Sequence, residues 1–176
     1  MVYRHKVGLT KSLNQKISTL FVTLLVLMSP IFSAGSILAP AKTNATAITS
    51  HVVINEIVAN PTTGEIEWVE LYNPTNTVVN MSNWRIRQTT GNFSGVFASG
   101  TTIAAYGYLV REKTTSTTLV NGGATLQLET TTNASDVDAV TYPSLGSGES
   151  YARRYDASTI FEIRSNPNTT KGASNG

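Results

Sequence analysis

Val53-Ile54-Asn55-Glu56-Ile57, then Trp68-Val69-Glu70-Leu71-Tyr72-Asn73-Pro74, then Ser82-Asn83-Trp84 decide how this chain folds. The first two runs are rich in β-branched and aromatic residues, which suit a pleated, half-buried surface. Between them, Asn60-Pro61-Thr62-Thr63-Gly64 supplies turn chemistry: proline presets one backbone angle and glycine accepts a positive one. The spacing predicts a hairpin with strands over 52–59 and 65–72. Pro74, with no N–H to donate, ends the second strand. In Trp84-Arg85-Ile86-Arg87, alternation puts Trp84 and Ile86 on one face and both arginines on the other.

The same pattern continues outward. Short apolar runs over 93–97, 101–103, 106–111, 125–129, 137–142, 150–155 and 160–163 alternate with turns rich in Gly, Asn and Pro. From Ile48 onward, 21 of 129 residues are threonine, and no window spaces apolar residues at three and four. No helix is expected. Eight or nine short strands predict an all-β sandwich, with residues 165–176 polar and irregular.

The chain has 176 residues, room for one ordinary domain and an extension. Its net charge of +2 hides a split. Arg4, Lys6, Lys11, Lys16 and Lys42 precede any acidic residue, whereas from Ile48 onward 8 Lys and Arg face 11 Asp and Glu, a net of −3. A domain of that sign is a poor match for nucleic-acid phosphates. The absence of cysteine excludes disulfides, thiolate metal sites, a Cys nucleophile and a lipoprotein anchor. The basic start, the apolar run 20–28, and the Ala39-Pro40-Ala41 and Ala45-Thr46-Ala47 signals predict a secretory signal peptide within residues 1–47. Cleavage is expected after Ala41 or Ala47, with an uncleaved membrane anchor as the alternative. Both readings place the folded domain, residues 51–175, outside the cytoplasm, with 43–50 as a short linker.

Taken together, the opening block resembles a lamin tail domain, and the resemblance extends over most of the exported part. Tyr108-Leu109-Val110, the segment 121–128, Gly148-Glu149-Ser150-Tyr151-Ala152-Arg153 and the ending Lys171-Gly172-Ala173-Ser174-Asn175 are each similar to family motifs. Lys171 stands where Pro is usual, which implies a weaker chain exit. Asn83 stands where Gly is usual before Trp84, which implies an altered turn. The resemblance implies an immunoglobulin-like β-sandwich that contacts proteins or attaches partners to the cell envelope, with Glu56 and Glu70 bonding backbone groups or arginines.

Candidates for chemistry are few. The histidines are His5, in the leader, and His51, at the domain edge, and there is no Gly-x-Ser-x-Gly elbow, so a serine triad is not expected. A single histidine without cysteine excludes ordinary zinc sites. Glu56, Glu65, Glu67 and Glu70 would suit a paired-carboxylate hydrolase. The favoured reading is structural: Glu65 and Glu67 point outward around Ile66 and pair with Arg85 or Arg87. Asp136 and Asp138, with Asn133 nearby, offer oxygens to a calcium ion, although carboxylates on a strand edge are common without one. Trp68 and Trp84 are expected in the core, while alternation turns some of Tyr106, Tyr108, Tyr151 and Tyr155 outward. The five sequons, at Asn44, Asn80, Asn92, Asn133 and Asn168, are expected by chance in so Thr- and Asn-rich a chain.

No catalytic, cofactor or metal residue is therefore assigned. The expected function is that of a non-enzymatic exported interaction module for a protein or envelope partner, working through the loops at 89–99 and 114–123 and an exposed sheet edge. The alternatives are a glycan- or nucleic-acid-binding extracellular protein and a small carboxylate-based hydrolase.

Overall fold

A computed structural model describes residues 46–130 and 136–176, with the side chain of Asp136 excepted. The leader, His5 and the sequons at Asn44 and Asn133 lie outside the described residues. Among the described residues there are eleven strands and no helix.

Five of them, β1 (Val53–Asn60), β2 (Trp68–Tyr72), β7 (Tyr108–Glu112), β10 (Glu149–Arg153) and β11 (Phe161–Ser165), form one antiparallel sheet in the order β11-β10-β1-β2-β7. Four more, β4 (Arg85–Gln88), β5 (Ser94–Val96), β8 (Ala124–Glu129) and β9 (Asp136–Tyr142), form the second, ordered β5-β4-β8-β9. A two-stranded ribbon pairs β3 (Val79–Asn80) with β6 (Thr102–Ile103). The expected sandwich is present, with its core between the two larger sheets. Ile54, Ile57, Val69 and Leu71 from one meet Ile86, Leu126, Leu128 and Val140 from the other. Each such side chain contributes roughly 1.5–3 kcal/mol by leaving water.

Several expected boundaries shift. β2 begins at Trp68 rather than residue 65, so Ile66 is exposed instead of facing the core. Tyr106 is not part of β7; it turns the chain at φ 53°, with its N–H donating to Thr75 O. Asn83 adopts φ 63°, a left-handed conformation that asparagine tolerates better than other side chains. The residue can therefore stand in for glycine there. Residues 46–48, expected in a linker, instead pair with the β10–β11 turn: Ala47 bridges Ser158, and Ile48 N–H donates to Ala157 O at 2.8 Å.

Every residue of β1 except Asn60 is buried, because both faces of this central strand are covered. A bulge explains how one strand serves both. Ile54 lies opposite Leu71 and Glu56 opposite Glu70, leaving Asn55 as the extra residue. Ile54 and Ile57 keep to the core, while Asn55 and Glu56 both project to the outer face. The sheets are clamped together at one side by Arg153, whose guanidinium donates to Ile54 O, Ser158 O and Asp138 Oδ2 and lies 4.5 Å from the Phe161 ring centroid.

Candidate functional site

The bulge concentrates polar groups on the outer face of the five-stranded sheet. Glu56 and Glu70, both fully buried, sit directly opposite each other across β1 and β2. Like charges in that position repel, so something else must hold them. That element is the C-terminal segment, residues 169–176, which crosses this face as a strap. Glu56 Oε2 accepts from Thr170 N–H at 3.0 Å and Thr170 Oγ1 at 2.8 Å. Glu70 Oε2 accepts from Gly172 N–H at 2.6 Å, and its Oε1 accepts from Asn55 Nδ2 at 3.0 Å. The expected backbone partners are found; arginine partners are not.

Asp156, in the β10–β11 turn, closes the cluster. It accepts from Asn55 Nδ2, Tyr108 Oη, Ser174 Oγ and Asn175 N–H at 2.5–3.0 Å. Asn175 Nδ2 returns a bond to Asn55 O. Lys171 pairs with Glu112 and lies 5.9 Å from the Trp68 ring centroid. Lys171, standing where the resemblance implies a proline, therefore adds contacts, and the N–H groups of Thr170 and Gly172 anchor the chain on either side of it. The segment expected to be irregular has no strand, yet it seals the face.

Electrostatics follow from this packing. Burial pushes Glu70 up to about 7, and the neighbouring Glu56 and Asp156 charges push the same way against the bonds from Asn55 and Gly172. Burial would raise Asp156 too, but the donors around it, Tyr108 first, hold it below its ordinary value. Oε1 of Glu56 is buried without a hydrogen-bond partner. No base, nucleophile and open substrate space converge here; the carboxylates face the chain's own donors.

Of the other acidic candidates, Glu65 is exposed and lines the pocket beside Trp68, away from Arg85 and Arg87, while Glu67 and Asp138 are occupied. Glu67, expected outward, is buried and accepts from Lys113 Nζ, Thr118 Oγ1 and Leu119 N–H. Arg85 and Arg87 pair instead with Glu129, which lies opposite Arg85 and diagonal to Arg87 across β4 and β8. Burial alone would raise Glu129, yet the two guanidiniums hold it below the usual carboxylate range. Sequence spacing missed this because the partner comes from a strand about 40 residues away. Asp138 is held by Arg153 and by Ile54 N–H at 2.8 Å, so both contacts tie the calcium candidate into the sandwich. Among the described residues no three His, Cys, Asp or Glu side chains gather as a metal site. His51 Nδ1 meets the hydroxyl of the adjacent Ser50 at 2.9 Å.

The aromatic residues divide between the core and the outer face, and Trp68 departs from its expected core position because Val69 and Leu71 take the core side of β2. Trp68 is buried, though on the outer face, where it lines a pocket of about 240 Å³ with Ile66, Glu112 and Lys171. Trp84 packs against the core, and Tyr151 stacks on Phe161 at 4.8 Å. Tyr72 and Tyr108 lie 5.0 Å apart on the outer face, and Tyr106 is exposed.

The two loops named from sequence do meet. Asn92, in the first, donates from Nδ2 to Ser116 O at 3.0 Å and accepts from Thr118 N–H at 3.0 Å. Asn92, Lys113 and Thr114 to Thr118 line an open concavity of about 360 Å³. Beneath it, Glu67 fixes Leu119 and Gln88 accepts from Val120 N–H, so the loop has a rigid floor.

Among curated proteins and among solved structures, nothing matches this chain. A family model described as Lamin Tail Domain matches residues 45–144, which include the opening hairpin, both loops and nine of the eleven strands. With more than half its length matched, the chain belongs to the lamin tail domain family.

Proposed function

We propose that this protein is an exported, non-enzymatic interaction module that binds a protein partner through the surface where its two long loops join. The observation that carries the reading is Asn92, which ties 89–99 to 114–118 and shapes one polar concavity on a rigid floor. The surface is rich in threonine hydroxyls and backbone groups, which suits hydrogen bonding to an extended polar segment. Three of the four carboxylates that would serve a hydrolase, Glu56, Glu67 and Glu70, are used internally, which favours binding over turnover.

A cross-linked pull-down from host envelope extract tests this, with the full chain and its Asn92→Ala/Thr115→Arg variant as baits. One reproducible protein partner that the variant fails to recover is expected. Recovery of glycan, nucleic acid or nothing specific would sink the reading. Export is tested by mass spectrometry of the chain from its host, with a start at Lys42 expected. Cleavage after Ala41 keeps the Ala47–Ser158 bridge, whereas cleavage after Ala47 removes it. An intact Met1 would instead support an anchor.

Glycan binding is the second reading, and it rests on Tyr106, which is 59 % exposed beside the Tyr72–Tyr108 pair. Saturable quenching of tyrosine emission by envelope glycan, lost in Tyr106→Ala, would move the assignment there.

A further inference from the structure

Among the described residues, the five-stranded sheet ends at β11 with no further strand on its outer edge. Arg154 N–H donates to Ile160 O at 2.8 Å and Asn166 N–H donates to Gly148 O at 2.9 Å, so even-numbered positions face β10. By alternation, Phe161, Ile163 and Ser165 turn their backbone groups outward. The next outward position upstream, Thr159, already donates to Thr46 O, so among the described residues the ladder made by 46–48 reaches Thr159 and no further. Downstream, Ser165 O accepts from Asn168 N–H as the chain turns away. An edge of this kind is a template for another strand.

Its sequence is Phe161-Glu162-Ile163-Arg164-Ser165, which is self-complementary when reversed. We propose that β11 pairs antiparallel with β11 of a second copy about a two-fold axis at Ile163. Outward-facing Ile163 then exchanges both backbone bonds with its copy, and Phe161 lies opposite Ser165. Glu162 meets Arg164 of the other copy twice, at the closely spaced, non-hydrogen-bonded positions where side chains interact most. The charges also choose the register. Sliding to either neighbouring register of the same hydrogen-bonding parity sets Glu162 against Glu162, or Arg164 against Arg164.

The side chains are placed to do this. Ile163 is 50 % exposed, a large apolar group left uncovered at the sheet's end. Glu162 is also partly exposed and now bonds Arg154 and Arg164 of its own chain, so pairing brings it a second guanidinium while Arg164 keeps its bonds to Asn175 O and Arg154 O. A two-fold contact of this kind closes on itself and does not propagate. It is short, in the class of small, transient interfaces below roughly 1,200 Å². This surface is distinct from the loop concavity, so one copy can bind a partner while paired.

The chain has no cysteine, so a single introduced thiol reports the register. In the full chain, Ile163→Cys faces its own copy with Cα atoms about 5.5 Å apart, within disulfide range. Ser165→Cys, two residues from the axis, lies roughly 14 Å from its copy. Under mild oxidation, at least tenfold more disulfide-linked dimer is expected from Ile163→Cys than from Ser165→Cys. Equal yields, or none from Ile163→Cys, would overturn the pairing. Ile163→Pro removes an N–H that β10 does not use, so its circular dichroism should match the parent while sedimentation loses the dimer. Dimer persisting in that variant would place association on another surface. Slow amide exchange at Phe161 and Ile163 in a strictly monomeric parent would show that the chain's own upstream segment fills the edge, and would also overturn it.

Discussion

At Glu70 both carboxylate oxygens are spent inside the chain, on Asn55 and Gly172, whereas at Thr114, Ser116 and Thr117 the hydroxyls bond one another on an open loop. Both regions are polar and both are held by asparagines, Asn55 in one and Asn92 in the other. The difference lies in what covers them. The outer face of the five-stranded sheet is closed by the C-terminal strap, so its acids act as anchors for backbone N–H groups. The loop surface has no such cover, and its groups remain available. A cluster of acids is thus poor evidence of chemistry until its partners are known, and a run of threonines can be the more accessible site.

Removing the strap should break the contrast most severely. Truncation after Asn168 leaves Glu56, Glu70 and Asn55 without the donors of Thr170, Gly172 and Asn175. Losing these bonds together with their cover costs roughly 1.5–3 kcal/mol per carboxylate, so the thermal midpoint should fall by at least about 10 °C. A truncated chain melting within a few degrees of the parent would show that the strap is not what holds the acids.

Glu67 links the two regions, since it lies in the first hairpin and supports the second loop. Glu67→Ala strands the buried Leu119 N–H and releases Lys113 and Thr118, with an expected loss of about 3 kcal/mol in chemical denaturation. Crucially, the loop partner should be lost as well. Retained binding with reduced stability would separate the floor from the surface.

Glu70 gives the sealed face a pH signature. Its pKa near 7 lies above the ordinary 4.5, so the native state keeps a proton that the unfolded chain has released. The stability it contributes is present in full below about 4.5 and is lost as pH rises through 7, by up to about 3 kcal/mol. Asp156 works in the opposite sense, contributing above its ordinary value and losing that contribution as pH falls. Denaturant midpoints should therefore decline between pH 5 and 8, and Glu70→Gln should flatten that decline. A parent profile flat over this window would contradict the burial argument. At pH 5 the same substitution should cost about 1–2 kcal/mol, because an amide group must face one of the two donors that Glu70 accepts.

The smallest effect on stability should come from Asn92→Ala, which removes two exposed bonds, about 1 kcal/mol or less. Partner recovery is expected to fall far more than stability does. Unchanged recovery would remove the loop surface from consideration and sharpen the case for Tyr106.

Much of the fold was legible because alternation and turn chemistry are local. The opening hairpin, the inward Ile86, Leu126 and Leu128, and the outward Arg85 and Arg87 all follow from a period of two. Glu67 departs from that pattern for an equally specific reason. Alternation carried through a strand starting at residue 65 turns Glu67 outward, whereas β2 begins at Trp68 and loop donors from 118 and 119 cover the carboxylate. The bulge at Asn55 was illegible too, since one extra residue leaves no signature when both neighbours are polar.

The sequence by itself determined the family, the all-β sandwich and the alternation that sorts core from surface, because each depends on residues close together along the chain. Only the tertiary structure decided which charges meet. Glu56 finds Thr170, Glu70 finds Gly172, Arg85 finds Glu129 and Arg153 finds Ile54, across separations of 44 to 114 residues. A carboxylate carries no mark of its partner in its own neighbourhood. Its role as anchor, base or solvated surface is set by burial and by the donors that folding brings to it.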